Sequence, residues 1–265
     1  MARGAETEQD RSKRHYQRTL FDGVAVLYEA SRLGYPSDIV EFVVATAALG
    51  ADSSVLEVGC GTGQLTERLA GFGFSLTAID IGPSMIATAR RRLEGSAVTF
   101  LAASFEDFPA ADASFDLIVS GAAFHWIDPE VKFRKSAQLL RPGGWLAVLD
   151  IDEHYDDPLG AALTDMWVAH GDASGAWVKR ASDAELITHT GWFSEPIHRT
   201  SAQRIVRPAD VVIGVEATRA TSLSWPENVR RGFTEELARH LEPHGEVHLT
   251  QQTSVTMARI QRHPG

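Results

Sequence analysis

The sequence predicts an α/β protein: a doubly wound sheet, mostly parallel with an antiparallel strand near the C-terminus, plus a small and mainly helical lid. Three observations carry this. Between Ser53 and Asp150, short β-rich runs alternate with helical patterns, the signature of a parallel sheet covered by helices on both faces. The first run leads directly into Gly59-Cys60-Gly61-Thr62-Gly63, a strand-to-helix turn dense in glycine. After Asp150 the rhythm changes to helical stretches flanked by two further β-rich runs.

In chain order, the first dozen residues are expected to be disordered. Ser37 to Leu49 carries Ile39, Val40, Val43, Val44 and Ala47 at amphipathic spacing, so a helix precedes the first strand and packs on the sheet. Strands are expected at Ser54–Val58, Ser75–Ile79, Val98–Leu101, Phe115–Ser120 and Trp145–Asp150. Leu65, Leu69 and Phe72, then Ile86, Ala89 and Leu93, mark two of the helices between them. Ser182-Asp183-Ala184-Glu185 is a capping box opening a helix that stops at Gly191. Longer helices are expected near Pro208–Ala220 and Pro226–Leu241, and the β-rich runs Ile197–Val206 and Val247–Ile260 extend the sheet. This divides the chain into an N-terminal arm and cap (1–36), a cofactor-binding core (37–150) and a lid with the remaining strands (151–265).

Composition narrows the function classes. The 265 residues are 44% hydrophobic and 23% charged, as in an ordinary globular protein. Thirty-five acidic against 25 basic residues give a net charge of −10, which argues against a phosphate-binding surface and against nucleic acid as partner. The single cysteine, Cys60, excludes an intramolecular disulfide and a cysteine-rich zinc site. His154, His170, His189 and His198 lack metal-ligand spacing, so no metal is expected. No apolar run reaches membrane-span length, and the N-terminus mixes charges where a signal peptide needs an apolar core. A cytoplasmic monomer or homodimer without membrane contact is the expectation.

In an open α/β sheet the ligand crevice lies beyond the carboxyl ends of the strands. There the chain carries Gly59, Gly61 and Gly63 on alternate positions, with Glu57 two residues before the first and Asp80 ending the next strand. The glycines let backbone approach a nucleotide-like ligand, although a plain structural turn would also use glycine. Asp80 is placed to accept hydrogen bonds from ribose hydroxyls. The Gly-x-Gly-x-Gly spacing differs from the dinucleotide pattern, and Glu57 would repel a pyrophosphate. An amino group suits Glu57 better. The implied ligand is adenosine joined to a zwitterionic amino acid.

On these residues the chain resembles the class I S-adenosylmethionine-dependent methyltransferases, from about Tyr16 to the C-terminus. Glu57 to Gly63 is similar to that family's glycine motif, and Leu139-Leu140-Arg141-Pro142-Gly143-Gly144-Trp145-Leu146 is similar to its later turn-and-strand motif. The resemblance implies a Rossmann-like core and S-adenosylmethionine as cofactor, with Asp80 on the ribose and Ile81 against adenine. Ala103 to Pro109 resembles the loop at the adenine edge, with Phe105 in it and Ser104 where many relatives carry Asp. Gln64, Met85 and Ser120 complete the expected cofactor set with Tyr28 and Arg32.

A narrower resemblance is to small-molecule enzymes related to trans-aconitate methyltransferase. Phe21 to Tyr28 and Arg32-Leu33-Gly34-Tyr35-Pro36 are similar to their N-terminal cap, with Leu33 replacing a proline, and Ser120 to Trp126 is similar to the loop after their fourth strand. Arg219 to Ser222 in the lid matches more loosely.

Each candidate has a plainer role beside it. His125 is expected to act as base or hydrogen-bond anchor for the acceptor, or to fix its loop by bonding backbone. Tyr16, beside His15, is a candidate phenol donor or a surface residue. Arg32 can pair bidentately with the cofactor's carboxylate, while Tyr28, Arg32 and Tyr35 can also serve as packing. Trp126 is packing or an aromatic face near the sulfonium. Arg90-Arg91-Arg92 reads as solvated surface, Cys60 as a small buried side chain, and Trp167, Trp177, Trp192 and Trp225 as lid core or pocket wall. The expected function is transfer of a methyl group from S-adenosylmethionine to a small organic acceptor, through a carboxylate, hydroxyl, amine or indole carbon. The rivals are a nicotinamide-dependent oxidoreductase and a non-catalytic binder of the same cofactor.

Overall fold

The computed structural model describes residues 8–156, 158–171 and 183–264. Ser182 and Trp177, and hence the cap residue of the expected capping box, lie outside the described residues. Seven strands form one sheet in the order β3-β2-β1-β4-β5-β7-β6. They are β1 (Ser54–Val58), β2 (Ser75–Asp80), β3 (Thr99–Ala102), β4 (Phe115–Gly121), β5 (Leu140–Tyr155), β6 (Ile197–Pro208) and β7 (Glu246–Arg259). The first five run parallel, whereas β7 is antiparallel to both β5 and β6. Strand order reverses between β1 and β4, which opens a crevice at their carboxyl ends.

Neighbouring residues of the central strands point to opposite faces, and both faces are covered. On one, Val55, Leu117, Val119, Ala147 and Leu149 pack against α3 (Ser37–Thr46) through Ile39, Val40 and Val43, and against α4 (Gln64–Ala70) through Leu65 and Leu69. On the other, Leu56, Ile118, Leu146 and Val148 meet α6 (Pro129–Leu139) and α8 (Asp183–Thr190) through Phe133, Ala137 and Ile187. Such two-sided burial explains why these strands read as nearly continuous apolar runs. α5 (Pro83–Arg92) closes a smaller cluster with Ile86, Ala89, Ala78 and Phe100.

Three differences from the sequence expectations bear on the site. Glu8–Leu20 is a helix, α1, whose start overlaps the first dozen residues, where disorder was expected; among its anchors are Arg18 to Glu106 at 2.8 Å and Arg14 to Asp128 at 3.6 Å. A 3-10 turn (Phe21–Val24) and α2 (Ala25–Ser31) carry the arm across the crevice. β5 does not stop at Asp150 but pairs with β7 through Tyr155 opposite Leu249. An unanticipated helix, α7 (Leu159–Ala169), joins α9 (Ala209–Ala217) and α11 (Glu227–Leu241) around Leu163, Met166, Val212, Phe233, Leu237 and Leu249; α10 (Ala220–Ser224) links the last two helices. No helix among the described residues is long and apolar enough to cross a membrane.

Phe233 is fully buried at the centre of this lid cluster, with ring centroids 4.8 Å from Trp167 and 5.4 Å from Trp225. Phe233→Ala is expected to lower unfolding free energy by about 3–5 kcal/mol, read by urea denaturation, because the cavity left among these rings cannot collapse freely.

Candidate functional site

The glycine loop shows why each glycine is needed, and the reasons differ. Gly59, Gly61 and Gly63 have φ of 72°, 55° and 92°, a region unfavourable to side-chain-bearing residues. A Cβ on Gly59 would sit 2.3 Å from Ala123 Cβ, and one on Gly63 2.9 Å from Leu93 Cδ1. A Cβ on Gly61 would meet nothing nearer than Tyr28 Cε1 at 4.0 Å. Gly61 therefore borders open space. Gly59 also lines the crevice, whereas Gly63 serves helix packing and lines neither lobe. The loop is held to β2 by the Gly59 and Cys60 amides, which donate to the Ile79 carbonyl at 2.8 and 3.0 Å. Asp80 completes the hold: Oδ2 accepts from Gly61 N at 2.9 Å and Oδ1 from Gly82 N at 2.8 Å.

The crevice has two lobes that meet at Tyr28, Gly59, Gly61, Gly121 and Ala122. Ala122 lies at φ 52°, strained backbone at the junction. The first lobe is lined largely by apolar side chains, Ile79, Ile81, Met85, Ala103, Phe105 and Ile127, with Asp80 among its polar lining. Phe21 and Trp126 wall its outer side, and the Phe21 ring lies 5.9 Å from those of both Trp126 and Tyr28. Ser104 borders the lobe, but its hydroxyl donates to Asp107 Oδ2 at 2.6 Å and accepts from the Asp107 amide at 3.1 Å. Its side chain is thus engaged within its own turn.

The second lobe is polar. Glu57 lies beneath the loop, 1% exposed, and its Oε2 has no hydrogen-bond partner. Burial pushes its carboxyl up to about 8, and the Asp80 charge adds to the shift. Gln64 beside it is buried too; its Oε1 accepts from Thr62 Oγ1 at 2.9 Å while its Nε2 lacks a partner. Arg32 stacks over Tyr28, 5.1 Å from the ring centroid, and its Nη2 donates to the Val215 and Thr218 carbonyls at 3.4 and 3.3 Å. Its Nε is buried without a partner. Tyr35 contributes its ring, and burial pushes its phenol well above the usual range. Ile151, Glu153, Arg219 and Gln251 close the far end.

Several expected site residues are placed elsewhere. Ser120 is fully buried and donates to the Val58 carbonyl at 2.8 Å, tying β4 to β1; it lines neither lobe, which corrects its assignment to the cofactor. His125 sits in the 3-10 turn Phe124–Trp126 with its ring 4.7 Å from that of Trp126, and it borders neither lobe. Tyr16 is 57% exposed on α1, also away from both. Cys60 lines the second lobe, but burial pushes its thiol up and away from nucleophilic use. Arg90, Arg91 and Arg92 bond to Phe100, Thr88 and Glu67 and form no shared patch.

Other contributors carried no readable signal. Asp22 caps α5 from the arm: Oδ1 accepts from the Ser84 and Met85 amides at 2.7 and 3.2 Å, and Oδ2 from the Ser84 hydroxyl at 3.1 Å. Glu153 and Gln251 come from strand positions distant in sequence. Among the described residues, no three His, Cys, Asp or Glu side chains are grouped to hold a metal ion.

Residues 56–148 match the family described as a methyltransferase domain. An uncharacterized methyltransferase of Mycobacterium tuberculosis is 33% identical over 129 residues, covering 49% of this chain and 51% of that protein. A malonyl-[acyl-carrier protein] O-methyltransferase of Hahella chejuensis is 35% identical over 171 residues, covering 63% and 58%. The chain thus spans about half the length of the curated relatives it matches. Among solved structures, a candidate type II methyltransferase from Anaeromyxobacter dehalogenans superposes with a TM-score of 0.66 at 24% identity, over 88% of this chain and 99% of that one. A phosphoethanolamine N-methyltransferase 2 of Haemonchus contortus, in complex with S-adenosyl-L-methionine, gives 0.54 at 16% identity, over 99% and 62%. The chain shares the overall fold of these structures, and residues 56–148 are similar to the methyltransferase domain.

Glu57 makes the empty-handed protein sensitive to pH. Its folded value of about 8 exceeds the ordinary 4.5, so above about pH 4.5 the unfolded chain gains by ionising while the folded chain does not. Stability contributed by the neutral carboxyl is therefore lost as pH rises from about 4.5 to about 8. Glu57→Gln is expected to flatten this slope and to be more stable than the parent by roughly 3–5 kcal/mol near pH 8, at about 1.4 kcal/mol per pH unit. Urea denaturation of both proteins near pH 5 and pH 8 checks it; parallel slopes would place a compensating cation at Glu57.

Proposed function

We propose, from the methyltransferase domain formed by residues 56–148, that the chain transfers a methyl group from S-adenosylmethionine to a small organic acceptor. The observation that carries this reading is Glu57, a buried carboxyl with an unpartnered oxygen under a loop whose Gly61 borders open space. A ligand ammonium is the partner such a carboxyl lacks. The neighbouring groups fit the rest of the cofactor: the unpartnered Nε of Arg32 and Nε2 of Gln64 suit a carboxylate, Asp80 suits ribose hydroxyls, and Ile81, Met85 and Phe105 suit a flat apolar base. A nicotinamide dinucleotide fits worse, since its pyrophosphate would lie between Glu57 and Asp80 with no cation from the loop. The names of the malonyl-[acyl-carrier protein] relatives favour oxygen as the methylated atom.

When bound, the cofactor supplies a methyl group already activated by its sulfonium. The protein's task is alignment and exclusion of water rather than strong acid–base chemistry. The arm performs part of it by covering the first lobe with Phe21, whose ring meets those of Tyr28 on the arm and Trp126 after β4. Arg32 performs another part by joining α2 to the carbonyl end of α9 over the second lobe.

Binding of S-adenosylhomocysteine near pH 7 is expected to release close to one proton, because the ligand ammonium draws the Glu57 carboxyl back toward its ordinary range. Calorimetry in buffers of different ionisation heat reads this directly. Glu57→Gln should release none and bind about tenfold more weakly; identical heats in every buffer would remove Glu57 from the ligand.

Asp80→Ala is expected to weaken the same ligand by roughly 1.5–3 kcal/mol. It should also lower unfolding free energy by about 1–2 kcal/mol, since two backbone amides lose their acceptor. An unchanged dissociation constant in the folded variant would place the ribose elsewhere.

A further inference from the structure

The far end of the second lobe is a polar floor built by two paired strands. Glu153 on β5 and Gln251 on β7 are register partners, so their side chains share one face of the sheet, and both line the lobe. Their side chains are 7% and 3% exposed. Glu153 Oε1 accepts from Arg207 Nη2 at 2.6 Å, but Oε2 has no hydrogen-bond donor, and its ion-pair partner, Arg219 Nη2, lies 3.8 Å away. Gln251 Nε2, in turn, has no acceptor. A buried acceptor and a buried donor are thus left side by side, a costly arrangement that native structures seldom tolerate without a partner.

The charges around this pair are already balanced. Arg219 donates through Nε and Nη2 to Glu216 Oε2 and Oε1 at 2.7 and 2.8 Å, and Arg207 is held by Glu153. Arg207 and Arg219 thus face Glu153 and Glu216, while the third guanidinium of the lobe, Arg32, donates to the Val215 and Thr218 carbonyls and is assigned above to the cofactor's carboxylate. A ligand carboxylate would bring an uncompensated negative charge beside Glu153 Oε2, and an ammonium would satisfy that oxygen while facing the Gln251 donor. A hydroxyl satisfies both. Arg207 also keeps Nε and Nη1 without partners, but it does not line the lobe.

We propose that Glu153 and Gln251 anchor the acceptor and select a small neutral molecule bearing a hydroxyl, whose O–H donates to Glu153 Oε2 and whose oxygen accepts from Gln251 Nε2. The proposal rests on the methyltransferase reading above, and it separates this chain's acceptor from a free carboxylate. Arg219 is paired in this lobe with Glu216.

The test uses the full chain loaded with S-adenosylhomocysteine and three probes that share a ring and differ in head group: benzyl alcohol, benzoate and benzylamine. Dissociation constants from ligand-observed NMR are expected to favour benzyl alcohol over each of the others by at least about tenfold, the worth of about 1.4 kcal/mol. Gln251→Leu and Glu153→Gln should each weaken benzyl alcohol about fivefold and bring benzoate within about threefold of it. Should Glu153→Gln fail to fold because Arg207 loses its counter-charge, Gln251→Leu and the parent's own preference decide. Equal binding of the three probes, a preference for benzoate or benzylamine, or no binding by any of them overturns the proposal. Failure of S-adenosylhomocysteine itself to bind, measured first, overturns the cofactor reading instead.

Discussion

The carboxylate of Asp80 is the constraint on which the crevice depends. It ends β2 and accepts from the amides of Gly61 and Gly82, so one side chain fixes both the apex of the glycine loop and the entry to α5. Burial raises its pKa, and the two amides oppose that rise. Each oxygen keeps lone-pair capacity after accepting one amide, so the group that shapes the loop can also accept ribose hydroxyls. On the proposed reading, structure and binding are coupled at Asp80, since loosening the loop would also move the backbone above Glu57.

The walls of the crevice come from three distant parts of the chain. Asp22 fastens the arm to the first turn of α5, where its charge also meets the positive end of the helix. Arg32 and Gly214 fasten the arm to the lid: the arginine donates to carbonyls at the end of α9, and a Cβ on Gly214 would meet Ser31 Cβ at 3.0 Å. Closure of the site thus depends on polar contacts at helix ends and on one close helix approach, with the apolar lid core lying farther from the lobes. Such contacts open more readily than a packed core, which suits a cover over a ligand site.

The core of the fold was legible because its strands are buried on both faces. Ser54–Val58 was read to the residue, and the other parallel strands through β4 to within one, since apolar runs bounded by glycine and charge leave little choice of register. The continuation of β5 was not legible: Asp150, Asp152, Glu153 and His154 read as surface, although Ile151, Glu153 and Tyr155 alternate on one face. α1 was missed because its sequence is almost wholly polar and anchors such as Glu106 and Asp128 lie about a hundred residues away. The glycine loop, Glu57 and Asp80 were visible as a local pattern. Ser120 was misassigned because its one decisive contact, the Val58 carbonyl, belongs to a neighbouring strand. His125 and Tyr16 were chosen by chemistry and chain position, neither of which fixes where a side chain points.

Two buried carboxyls in one lobe solve the same electrostatic problem in different ways, and the difference orients whatever binds between them. Glu57 has no cation, and burial holds it near the neutral form, ready to exchange its proton for a ligand ammonium. Glu153 has Arg207 at 2.6 Å and keeps one oxygen unpartnered. An ammonium placed at the Glu57 end would relieve a burial penalty that Thr66 only partly offsets, whereas at the Glu153 end it would add to charges already paired. On the proposed reading, a ligand with an ammonium at one end enters with that end under the glycine loop, and Glu153 is left to the acceptor, beside Arg207 and Arg219 already paired with the two glutamates.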